Sequence, residues 1–65
     1  MIGIVHSISQ KKYHGTIKGE DGKTRPFRRV GMVLWAEFES LKAGDRVRFD
    51  IEADRAINVE RDLTP

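Results

Sequence analysis

No cysteine occurs in the 65-residue sequence, so neither a disulfide framework nor a thiolate metal site can staple the fold. The longest apolar run extends only from Met32 to Ala36, far below the roughly 20 residues of a membrane-spanning helix. The opening Met1-Ile2-Gly3-Ile4-Val5-His6 shows no basic stretch, extended apolar core or small-residue cleavage site of a secretory signal. It predicts a soluble cytoplasmic protein with no membrane partner. Charge is nearly balanced: twelve Lys and Arg against ten Asp and Glu leave a formal +2, too little by itself to imply a polyanionic partner. Repeats, low-complexity tracts and linkers are absent, and a chain this short buries too little surface to divide. A single domain over 1–65 is expected.

What the chain does contain is short strand-like segments separated by turn residues. Ile2 to Ile8 is rich in β-branched residues and predicts a first strand, followed by a polar turn through Ser9, Gln10, Lys11 and Lys12. His14 to Lys18 alternates, with His14, Thr16 and Lys18 on one face and Ile17 on the other. Gly19-Glu20-Asp21-Gly22 is a hairpin signal, and the next strand is predicted from Lys23 to Arg29. Pro26 cannot donate to a ladder, so its nitrogen must face outward at an edge or bulge.

Between Met32 and Leu41 the spacing of Leu34, Trp35, Phe38 and Leu41 predicts a loop with a short helical turn, which Gly44 could end. Arg46 to Glu52 is a strand with Val47, Phe49 and Ile51 inward, and Ala56 to Glu60 is the last strand, with Ile57 and Val59 inward. Five strands with one longer connection before the fourth predict an all-β fold, a small five-stranded antiparallel Greek-key barrel. Periodicity alone leaves an SH3-like barrel equally open.

Cations are unevenly placed. Lys23, Arg25, Arg28 and Arg29 fall between Lys23 and Val30 without an acid, whereas acids gather at Glu37, Glu39 and from Asp50 to Asp54. The basic cluster is either a binding surface or a solvated strand face. His6 and His14, without a cysteine or a carboxylate motif beside them, make no zinc set, and no metal or cofactor is predicted. Asp50, Glu52 and Asp54 alternate outward as on any half-buried strand, and Ser7, Ser9 and Ser40 have no activating motif. No catalytic residue and no enzyme are therefore expected.

Gly3-Ile4-Val5, then Lys12 to Ile17, then the F-x-x-L-x-x-G-x-x-V-x-F-x-I pattern from Phe38 to Ile51, then Ala56 to Val59, together resemble the cold-shock domain across nearly the whole chain. The resemblance implies an OB-fold barrel. It also implies binding of single-stranded RNA or DNA across the first three strands, where the family stacks bases on exposed aromatic rings. The family's K-G-F-G-F-I motif is here Lys12-Tyr13-His14-Gly15-Thr16-Ile17, so its two rings become His14 and Thr16. Its W-F pair falls on Ser7-Ile8, and its third-strand motif falls on Arg25-Pro26-Phe27-Arg28-Arg29. That alignment buries Phe27 and exposes Pro26, Arg28 and Arg29; a slip of one residue would expose Phe27 instead.

The contact residues implied are His6, Lys12, His14, Thr16, Pro26, Arg28, Arg29 and Phe38. Arginine replaces lost rings best, because its guanidinium plane can stack on a base while its charge holds a phosphate. Trp35 has no counterpart in the family and reads more as a packing residue closing one end of the barrel than as a base-stacking group; the open alternatives are that Phe38 or Trp35 joins the basic surface from the loop, or that Trp35 and the third strand contact a protein partner. The expected function is weak, charge-driven binding of single-stranded nucleic acid. The alternatives are a protein-interaction module and a homodimer formed through exposed strand edges.

Overall fold

Alternation of Gly3 and Val5 with exposed neighbours drives the first segment into a strand, β1 (Ile2–Ser9), whose inner side chains face a core and whose outer ones face water. In the computed structural model, which describes residues 1–63 of the expected single domain, β1 is followed by β2 (His14–Gly19), β3 (Thr24–Arg28), two 3-10 turns (Arg29–Gly31 and Trp35–Ser40), β4 (Arg46–Glu52) and β5 (Arg55–Arg61). All four pairings are antiparallel, in the order β3-β2-β1-β4-β5. The structure is thus an all-β, five-stranded antiparallel sheet with short helical turns before β4. Among the described residues no helix is long and apolar enough to cross a membrane.

The edges β3 and β5 curl close to one another but form no ladder, so hydrogen bonding does not close the sheet. A cleft of about 390 Å³ lies between them, walled by Pro26 and Phe27 on one side and Ala56 and Ile57 on the other. Beyond it, Met32 bridges Val59, and the Val33 N–H donates to the Val59 carbonyl at 2.9 Å. Pro26 sits on the edge strand, as its missing N–H requires. The Arg29 N–H donates to the Tyr13 carbonyl, so alternation turns the Phe27 N–H toward β2 and the Pro26 nitrogen away. Phe27 pairs with Gly15 and is buried, which is the register that the proline favoured.

Two bulges set which residues reach the core. On β1 the register shifts between Val5 and Ser7, leaving His6 unpaired and allowing both Val5 and Ile8 to turn inward. On β5, Phe49 faces the two residues between Ile57 and Glu60, and Asn58 adopts a left-handed φ of 50°. This corrects strict alternation in the final hairpin: Ala56 and Val59 are buried, whereas Ile57 is half-buried. Ile51, also expected inward, is 42% exposed, because it lies near the Ala53-Asp54 tip, past the edge of the core. Gly44 does not end the helical turn either. It has φ 98° in a separate turn from Lys42 to Asp45, and its N–H donates to Val5.

The hairpin between β2 and β3 carries the one buried cation among the described residues. Gly22 accepts the left-handed φ of 83° that closes the turn, and its N–H donates to Gly19. Asp21 then meets Arg25 in a two-point ion pair, Nη2 to Oδ2 at 2.7 Å and Nη1 to Oδ1 at 3.2 Å, and also accepts the Lys23 N–H. Arg25, only 7% exposed, therefore leaves the basic cluster and becomes a structural residue. Hydrogen bonding from Arg25, then from the Lys23 backbone, holds the Asp21 carboxyl at about 2 rather than 3.8. A depressed folded-state pKa contributes stability that is present above the unfolded value and lost as pH falls toward the folded one. Urea midpoints should accordingly drop between pH 4 and pH 2 more steeply in the native sequence than in Asp21→Asn. Parallel curves would show that the pair contributes nothing to acid sensitivity.

Candidate nucleic-acid interface

The outer face of β1, β2 and β3 carries short or polar side chains. His14 lies opposite Arg28, and Thr16 lies opposite Pro26, with Thr16 also bonded through its hydroxyl to Ser7 at 2.7 Å. His14, Pro26 and Arg28 are exposed and Thr16 is half-buried; His6 is exposed at the β1 bulge. These expected contact residues share one side of the sheet, with no phenylalanine, tyrosine or tryptophan among them.

Rings and cations instead meet at the end of this face. Lys12, Tyr13, His14, Arg28, Arg29 and Val30 line a shallow depression of about 350 Å³. The β1–β2 turn ends on Tyr13, whose φ of 58° is left-handed; for a bulky residue this costs about 1–2 kcal/mol. Its neighbours hold it there. Its ring packs against Phe38 at 6.4 Å between centroids, and the Arg29 guanidinium carbon lies 4.3 Å from its centre. The same carbon is 5.8 Å from the centre of the Trp35 ring, within cation–π reach of both.

Four basic side chains gather at this end of the molecule. Arg25, Arg46, Arg48 and Arg61 are each paired with a carboxylate. Among the described residues, Lys12, His14, Arg28 and Arg29 form no ion pair, and the Arg29 Nε is buried without a hydrogen-bond partner. No group of His, Cys, Asp or Glu among the described residues is arranged to hold a metal ion.

Two aromatic assignments are corrected. Phe38, expected to contact nucleic acid, is fully buried at 0% exposure, because it packs between Phe27 and Tyr13 and caps the core. Trp35, expected to pack, is 53% exposed: it opens its 3-10 segment and lies over Arg29, outside the core. Tyr13 is the residue that sequence reasoning missed. Its one signal was a bulky side chain where the resembling family motif has glycine. Compared with known proteins, the chain matches no family model and no curated protein sequence.

Proposed function

We propose that this chain binds single-stranded RNA or DNA, weakly and mainly by charge, on a coiled sheet of the cold-shock, OB-fold kind. The central place of β1 and the approach of β3 to β5, reinforced by the Met32 to Val59 bridge, support the barrel reading. The observation that carries the function is the gathering of Lys12, His14, Arg28 and Arg29 around one depression, none of them in an ion pair among the described residues. Surface cations left unpaired at one place attract a polyanion, and binding then releases the counterions condensed on it. The role proposed is binding, not catalysis.

With three or four phosphates engaged, affinity for a labelled single-stranded oligonucleotide should fall roughly 20- to 50-fold between 50 and 200 mM salt. Lys12→Ala with Arg28→Ala, both exposed, should flatten that slope while leaving the unfolding midpoint unchanged. Absence of binding even at low salt would overturn the proposal. A second reading, a protein-interaction surface or a homodimer interface, is favoured by the exposed apolar side chains of Val30, Val33, Leu34 and Trp35. Sedimentation would reveal a dimer directly.

A further inference from the structure

We infer that Tyr13, Arg29 and Trp35 form a base-stacking site at the end of the sheet, so that the aromatic element of recognition lies on the turns and not on the strands. The inference rests on the single-stranded nucleic-acid reading and deepens it by naming the part of the ligand, an unpaired nucleobase, and the groups that take it.

Three observations converge. Tyr13 and Trp35 are each 53% exposed, the only Tyr and Trp in the chain, and both lie against one guanidinium. A tyrosine held in the left-handed region is strained without helping the turn, where glycine would sit freely, and such outliers persist where a side chain has a use. Finally, Lys12, His14 and Arg28, in no ion pair among the described residues, line the same depression as Tyr13, so a phosphate held there would bring the adjoining base to the ring. Arg29 links the two rings: its guanidinium carbon lies 4.3 Å from the centre of Tyr13 and 5.8 Å from that of Trp35, and it has no ion-pair partner among the described residues. Flat polarisable rings next to unpaired cations suit a base with its phosphate, and base stacking tolerates any sequence because every base has a π-face.

The test compares a single-stranded oligodeoxythymidine with an abasic oligonucleotide of equal length and charge, reading the fluorescence of Trp35, the sole tryptophan, alongside affinity. Stacking should make the base-bearing strand bind roughly 5- to 150-fold more tightly per stacked base, with quenching that the abasic strand does not cause. Tyr13→Gly relieves the backbone strain but gives up the packing of the ring on Phe38, so its unfolding midpoint is measured beside its affinity, under conditions where it remains folded. With Trp35→Ala, it should shrink the preference for bases while leaving the salt slope intact. Equal affinity for both strands without quenching would overturn the stacking site and leave the charge-driven reading standing. Binding of neither strand would overturn both, and would leave the exposed ring and apolar cluster to a protein partner.

Discussion

Replacing Phe38 with alanine is expected to lower the unfolding free energy by about 3–5 kcal/mol, the range for truncating a buried phenylalanine. A chain of this length has roughly 3–10 kcal/mol in total, so the variant should be partly unfolded at room temperature. The size follows from position. Phe38 is fully buried, its ring lies 6.2 Å from Phe27 and 6.4 Å from Tyr13, and its own backbone carbonyl accepts a hydrogen bond from the Gln10 side-chain amide at 2.8 Å. Truncation therefore opens a cavity under the very ring that carries the proposed site. Urea denaturation followed by circular dichroism measures the loss. A variant with native stability but no oligonucleotide binding would instead give Phe38 the surface role that the resemblance implied.

Gly15→Ala should cost about 2–3 kcal/mol, at the upper end of the range for overpacking. A methyl group at Gly15 would stand 2.4 Å from the Ser7 carbonyl oxygen, 2.8 Å from Phe27 Cε1 and 3.1 Å from the Ile8 Cα. Two of those atoms are backbone of β1, next to its bulge, and cannot swing aside as a flexible side chain would. Relief requires β1 to part from β2 or Phe27 to leave its place against Phe38. Thermal unfolding should show the midpoint lowered by roughly 8–24 °C, at about 4–8 °C for each kcal/mol in a small domain. An unchanged midpoint would mean that the two strands separate here without cost.

Much of the fold was legible because it rests on local chemistry. The bounds of Arg46 to Glu52 follow from the alternation of Val47 and Phe49 with charges, and Pro26 by itself points to the register of β3. The errors share a cause, which is that strict alternation takes no account of bulges or strand ends. Asn58, a residue tolerant of left-handed backbone, is the sequence trace of the β5 bulge. The Ala53-Asp54 turn has such a trace only in Asp54: both residues take positive φ, 50° and 62°, without a glycine, because the ladder on either side leaves only two residues to reverse the chain.

The candidate site was legible in its cations and obscure in its rings. His14, Pro26 and Arg28 face outward as alternation implies, but Tyr13 acquires its place from a turn and Trp35 from a 3-10 segment. In such segments, spacing says little about which side chain finds cover. Arg25 shows the complementary difficulty, since nothing in a run of cations marks the one that Asp21 withdraws into the interior.

The strand order also dictates a sequence of events during folding. β1, β2 and β3 are successive hairpins that can close on the microsecond scale, while β1 reaches its other neighbour only when Gly3 meets Val47 across most of the chain. Such distant closure is slow to search for. In a chain made from its N-terminus, Val5, Ile17 and Phe27 of the first three strands precede Phe38, Val47, Phe49 and Val59, with which they form the core, so they are expected to stay uncovered until these follow. For that interval the nascent chain presents an apolar sheet face that a chaperone could grip or a neighbouring chain could adhere to, a period of exposure set by the central position of its first strand.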